Sequence, residues 1–309
     1  MITPNCSFHY RFSIVLLFLS DMIKYNPKIW FRHIFKFTKG DTLRVLLPEM
    51  IILSLFVFGL TYVELKYLED LHIFKDAIAV YSLIGFVLSL LLVFRTNTAY
   101  DRWWEGRKKW GELVNDTRSL ALKVSVSNGN DEDKSFFKRE ITHYVYVLKW
   151  HLRKQDDDLP HRMSDGDFKR FKAASHKPSH IAQKMYIRLQ QMLKEEKISQ
   201  NDYLTLDTNL NNFSNITGAC ERILNTPMPY SYSIFLKKFI FIYVVTLPIG
   251  FVSTFQYGTI LISVFIFYVL VSMELLAEEI EDPFGKDDND LPLDELCEKI
   301  KANVDDILS

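Results

Sequence analysis

The chain of 309 residues is poor in cysteine, and its three thiols, Cys6, Cys220 and Cys297, lie far apart. Such spacing suggests neither a disulfide framework nor a metal knuckle. An excess of either charge is also missing. Lys and Arg number 37 against 38 Asp and Glu, a net charge of −1. Nucleic-acid binding usually needs a basic excess, so that class finds no support. No P-loop, nucleophile elbow, HExxH pair or dinucleotide fingerprint occurs. The eight histidines are scattered. His143 and His151 share one helical stretch but stand too far apart to chelate one ion directly. No catalytic residue and no cofactor is therefore expected. No repeat of solenoid period and no low-complexity tract occurs either, and 48% apolar residues exclude a disordered or fibrous chain.

A mean hydropathy of zero suits an ordinary soluble protein, but that average misleads. Stretches 45–63, 77–94 and 239–273 contain one charged residue between them, Glu49. Nearly all the charge lies elsewhere. A spanning helix needs about 20 apolar residues. The 35 uncharged residues of 239–273 suffice for two short spans and are broken in the middle by Pro248, Gly250, Gln256 and Gly258. They read as a helical hairpin, with one helix from about Leu236 to Phe255 and its partner from about Tyr257 to Leu276. Stretches 45–63 and 77–94 supply two further spans.

The flanks orient them. Lys24, Lys28, Arg32, Lys36, Lys39 and Arg44 precede the first span. Arg95, Arg102, Arg107, Lys108 and Lys109 follow the second, and Lys237 and Lys238 precede the third. Basic short loops stay in the cytoplasm. Both termini and the long middle segment are thus expected inside, with 64–76 and the turn near Gln256 outside. Glu49 then falls within a turn of the cytoplasmic end, where a charge costs least. At the N-terminus, Phe12–Leu19 is too short and too poorly followed for a signal peptide, and Met22 reads as an alternative start.

The segment 95–236 has helical periodicity. Phe137, Ile141, Tyr144, Val145, Leu148 and Leu152 recur at spacings of three and four, which predicts an amphipathic helix over 136–152. SNGNDEDK (127–134) is expected to break the chain before it. Residues 155–180 read as a connector with short helices, and 181–196 and 203–224 as helices, the second ended by Pro227 and Pro229. The expected divisions are 1–21 as an extension and 22–94 with the first two spans. A helical cytoplasmic region over 95–235, two spans over 236–276 and an acidic cytoplasmic tail over 277–309 complete them.

The second span runs directly into FRTNTAYDRWWEGRKKWGELVNDTRSLA (94–121), where three Trp and a Tyr lie among basic residues. Aromatic belts and snorkelling cations explain part of this density. The stretch, with CERILNTPMPYSY (220–232), EIEDPFGKDDNDLPLDEL (279–296) and YNPKIWF (25–31), closely resembles the bacterial branch of the bestrophin family. The resemblance covers the chain from about Met22 to its end. It implies an all-α membrane protein with four transmembrane helices and a helical cytoplasmic region, assembled as a homopentameric channel in the bilayer of a bacterial inner membrane. Small inorganic ions, chloride and other anions above all, are the implied cargo. A bacterial member with cation preference leaves a sodium-type channel as an alternative. A membrane-anchored scaffold is the reading from another class.

The resemblance also implies site residues. Three bulky apolar residues at i, i+4 and i+8 form the family's pore neck, the last eight residues before the arginine of RWW. With Arg102, Trp103 and Trp104 as that motif, the neck positions are Phe86, Leu90 and Phe94. They drift by about 40° each and stay within a stripe of about 80° over roughly 12 Å. Ser82, Gly85 and Ser89 lie beside the stripe, where small residues permit close helix approach. A second, cytoplasmic constriction maps loosely to Ile198, Tyr203 and Leu204. Asp287 and Asp290 match acidic positions of the calcium clasp of animal members, and oxygen ligands in a loop suit calcium. Lys286 and Asn289 depart from that clasp. The simpler expectation is that Asp290 caps a helix beginning near Leu291, with Asp294 and Glu295 favouring its N-terminus.

Overall fold

A computed structural model describes residues 42–67, 77–155 and 165–309. The N-terminal extension, Met22, the YNPKIWF segment, residues 68–76 and part of the 155–180 connector lie outside the described residues.

Four helices are long and apolar enough to cross a membrane. Helix α1 is Thr42–Tyr67 and helix α2 is Ala77–Val126, of 50 residues. No proline interrupts α2, and at about 1.5 Å per residue it reaches roughly 75 Å. Only its first third is free of charge. The remainder carries the aromatic and basic motif out of the bilayer without a break in the helix. More polar helices follow as α3 Asp131–Leu152, α4 Asp165–Ala173, α5 Lys177–Lys194 and α6 Gln200–Asn225. Two spans, α7 Tyr230–Phe255 and α8 Gly258–Glu281, come next, and α9 Leu293–Ile307 closes the chain. Among the described residues there is no strand.

The expected hairpin is present. It turns at Gln256, whose φ of 46° lies in the left-handed region, while its N–H still bonds Val252 O at 2.8 Å to close α7. One expectation is corrected in extent. The break before α3 ends at Asn130, and the acidic DEDK forms part of the helix. Asn130 Oδ1 accepts the Asp133 N–H, and Asp133 Oδ2 accepts the Asn130 N–H. This reciprocal cap satisfies two donors that a helix start leaves without partners, and acids in a first turn suit its positive end.

Two hydrophobic cores result. The membrane core gathers Leu53 and Val57 of α1, Leu88 and Leu92 of α2, Leu236, Ile240, Val244 and Leu247 of α7, and Leu270 of α8. The second core joins the charged half of α2 to α3, α5, α6 and α9 around Trp110, Phe137, Tyr144, Phe213 and Ile300. Buried polar links fix it. The Tyr144 hydroxyl donates to Phe213 O at 2.8 Å. Lys149 and Arg153 at the end of α3 both hold Asp294 of α9, each at 2.7 Å. Asp133 is fully buried between Arg188 and Lys197, at 2.6 and 2.9 Å.

In the bilayer, the α7–α8 hairpin packs against α1 on one side and α2 on the other. Small residues set the distance between α2 and α7. A Cβ at Gly85 would meet the Tyr243 hydroxyl, and one at Gly250 would stand 2.7 Å from the Tyr81 ring. The Tyr81 hydroxyl donates to Thr246 O at 2.7 Å, so that ring cannot swing aside. Gly250→Val is therefore expected to overpack the contact and destabilise the fold by about 1–3 kcal/mol. Thermal unfolding in detergent checks this, and an unchanged midpoint would refute it.

Candidate functional site

On α2, Leu88, Leu92, Arg95 and Ala99 are buried against the hairpin. The opposite side is uncovered. Phe86 is 62% exposed, Leu90 43% and Phe94 62%. The three expected neck residues thus share one apolar stripe that the other described residues leave largely uncovered. Ser82 and Ser89 also lie exposed, with hydroxyls bonded to Ile78 O and Gly85 O of the preceding turn, both at 2.8 Å. Their donors are satisfied within the helix, so no polar group disturbs the stripe.

The root of this helix is held by two arginines on its packed face. Arg95 is 2% exposed. Its Nη2 lies 2.7 Å from Glu281 Oε2, its Nε 3.6 Å from Glu274 Oε2, and its Nη1 2.8 Å from Met228 Sδ. A buried cation is tolerable only when answered by opposite charge, and here α8 supplies two carboxylates. The other oxygen of Glu281 accepts the Met228 N–H at 2.6 Å.

Arg102, two turns further on, uses its fork on carbonyls. Nε donates to Glu281 O at 3.1 Å, Nη1 to Thr226 O at 2.6 Å and Nη2 to Ile223 O at 2.5 Å. Ile223 and Thr226 are at the C-terminal end of α6, and Glu281 is the last residue of α8. Helix C-termini leave carbonyls without donors and carry partial negative charge. One planar guanidinium therefore closes two helix ends at once, which a lysine's single ammonium cannot reproduce.

Beside it, the Trp103 indole N–H donates to Asn289 O at 3.0 Å, fastening the acidic loop to α2. Trp103 also stacks with Tyr100 and Trp104, with ring centroids 6.1 and 6.4 Å away. A Cβ at Gly106 would meet the buried Phe284 ring at 3.2 Å. The motifs at 94–121, 220–232 and 279–296 are thus one physical assembly. Sequence reasoning missed Arg95, Glu274 and Glu281 as its centre. The available signal was the position of Arg95, the first charge after an uncharged run.

The three residues mapped to a cytoplasmic constriction separate. Ile198, 5% exposed, packs into the second core, and Tyr203 lies partly buried against it. Leu204 is 55% exposed on α6. Only Leu204 presents itself outward.

Asp290 does not cap α9, whose preceding residue is Pro292 with no side-chain cap. Instead its Oδ2 accepts the Asp287 N–H at 2.7 Å and closes the loop upon itself. Its Oδ1 is buried without a partner. Burial, with Asp287, Asp282 and Glu279 around it, pushes its pKa up to about 7. An orphaned buried oxygen among acids fits a cation in charge, and Asp290 with Asp287 would hold it. Lys286 lines the adjoining cavity of about 580 Å³ beside Asp287 and Asp288, which works against it.

The whole chain compares as these motifs suggest. The family model described as Bacterial/Fungal Bestrophin protein matches residues 22–306. The chain belongs to the bestrophin family. A relative from Nostoc sp., named a voltage-dependent anion channel-forming protein, is 36% identical, over 91% of this chain and 92% of its own length. The similarly named YneE of Escherichia coli K12 is 32% identical, over 92% and 93%. A solved bacterial bestrophin homologue from Klebsiella pneumoniae superposes with a TM-score of 0.79 at 28% identity, covering 85% of this chain and 98% of that one. The bestrophin architecture of four apolar helices above a helical body is therefore shared along nearly the whole chain.

The raised pKa of Asp290 has a consequence for stability. Unfolded, the carboxyl ionises near its ordinary 3.8, whereas folded it stays protonated to about 7. Stability therefore falls as pH rises between these values, because only the unfolded state gives up the proton. Asp290→Asn should remove that loss. In chelator, its thermal midpoint should exceed wild type at pH 8, and the gain should shrink towards pH 4. Calcium that raised the wild-type midpoint at pH 8, and not that of Asp290→Asn, would assign the loop to a cation instead.

Proposed function

We propose that five copies of this chain surround an axial pore in a plasma membrane, with both termini in the cytoplasm, and conduct chloride and other small anions. The single observation that carries this reading is the uncovered stripe of Phe86, Leu90 and Phe94 on a helix anchored firmly on its other side. The names of the relatives as anion channel-forming proteins support the cargo. Copies of α2 around an axis would turn the stripe into a narrow apolar neck. Such a neck stops ions by dewetting and passes them when it widens or wets. Aromatic ring edges carry partial positive charge, so inward edges of Phe86 and Phe94 would favour a partly dehydrated anion. Leu204, on the outward side of α6, is the residue offered for a cytoplasmic constriction.

Leu90→Ala and Phe94→Ala should each widen the neck and raise open probability or ion permissiveness in planar bilayers. Currents indistinguishable from wild type for both variants would overturn the neck.

One observation favours cations. Asp101 lies one heptad beyond Phe94, within about 20° of its direction and roughly 10 Å along the axis. It is exposed and makes no ion pair among the described residues. Five such carboxylates would form a negative ring at the mouth of the neck. Reversal potentials under a salt gradient decide between the two. A potential on the chloride side is expected, moving further that way in Asp101→Asn. A potential on the cation side would replace chloride with sodium as the cargo.

A further inference from the structure

Three residues far apart in sequence meet behind the second core. His151 lies in the last turn of α3, His176 immediately precedes α5, and Glu221 lies near the end of α6. The Nε2 atoms of both histidines point to the same oxygen, Glu221 Oε1, at 2.6 and 2.7 Å. The two rings stand edge to face with centroids 5.0 Å apart. All three ligand atoms lie within 4.8 Å of one another. None is sealed off, since each side chain retains about a quarter to a third of its exposure. A cavity of about 370 Å³, lined among others by His151, Phe171, Glu221 and Asn225, opens beside them.

We propose that His151, His176 and Glu221 form a site for a first-row divalent transition metal, of which zinc is the probe. Two imidazoles and one carboxylate are a donor set that zinc takes at about 2.0–2.2 Å, leaving a fourth position for water. Imidazole donors favour this class over calcium or magnesium, which prefer oxygen throughout. The cavity admits the ion and holds the water. The three ligands come from separate segments, so the ion would tie α3, the start of α5 and the end of α6 together. Helix α6 ends at the carbonyls that Arg102 holds, which places the metal one turn from the root of α2.

The hydrogen bonds of His176 show what binding must rearrange. His176 Nδ1 accepts the Ser179 N–H at 3.2 Å and caps α5. Its proton therefore sits on Nε2, directed at Glu221. An ion needs that Nε2 lone pair, so the proton shifts to Nδ1 and the cap bond to Ser179 is lost. Metal binding and the cap are alternatives at one ring.

This exclusion supplies a clean variant. Asparagine is a good N-cap but too short to reach the ion, so His176→Asn keeps the helix start and removes a ligand. Glu221→Gln keeps an acceptor for both histidines and removes the charge. Titration calorimetry of the intact, chelator-stripped protein with zinc chloride is expected to give one saturable site per chain. Each variant should weaken it by at least about tenfold, a loss that even outer partners of a metal produce. Amide exchange at Ser179 should quicken on zinc addition in the wild type alone. Absence of saturable zinc binding by the wild type would overturn the site. So would affinity unchanged in both variants, or an anomalous zinc peak away from the two Nε2 atoms.

Discussion

The structure depends on how one guanidinium pair anchors a helix that crosses from lipid into water. Helix α2 has no break at that boundary, so its apolar part and its charged part form one continuous rod. In the bilayer, among the described residues, it packs against the hairpin through apolar side chains and a few tyrosine hydroxyls such as that of Tyr81. Arg95 and Arg102 supply direction. Arg95 is bonded to Glu281 of α8, with Glu274 a longer ionic neighbour at 3.6 Å, and Arg102 to carbonyls ending α6 and α8. Charged hydrogen bonds of this kind are short and angular. They fix the rotation of α2 about its own axis, and so decide which side chains face away from the subunit.

That rotation explains why the same helix can have two characters. Its packed side gathers the buried charge, while its free side is apolar over the upper turns and acquires Asp101 only below them. Had the arginines lain on the opposite side, the stripe of Phe86, Leu90 and Phe94 would have been covered by α7 and α8. The small residues act in the same sense. Gly85 and Gly250 let Tyr243 and Tyr81 enter between α2 and α7, so the contact is tight enough to hold one register.

Much of this was legible in the chain. Charge-free runs as long as a bilayer is thick admit few other readings, so four apolar helices and the turn at Gln256 were anticipated, although the third begins at Tyr230 and the fourth runs on to Glu281. The period of Phe137, Ile141 and Tyr144 gave α3, because an apolar stripe has to be buried. Finer boundaries were less legible. The DEDK tetrad looked like a breaker by composition, yet Asn130 and Asp133 cap each other and draw it into the helix. Asp290 looked like a cap by its place before a helix, but its carboxylate turns back to Asp287. In both cases a carboxylate turns back to the backbone N–H three residues before it, and sequence order does not say which way it turns.

The sequence by itself determined the layers: which segments enter the bilayer, which stay in water, and which family pattern they follow. Those properties depend on local composition, and the cost of burying or exposing it is felt residue by residue. Only the tertiary structure decided partnerships across long separations. Arg95 with Glu281, Arg102 with Ile223, Trp103 with Asn289, and His151 with His176 and Glu221 each join segments far apart along the chain. Ile198 became core and Leu204 surface for the same reason. Such contacts form because helices pack at particular rotations, and no property of either segment alone contains that angle.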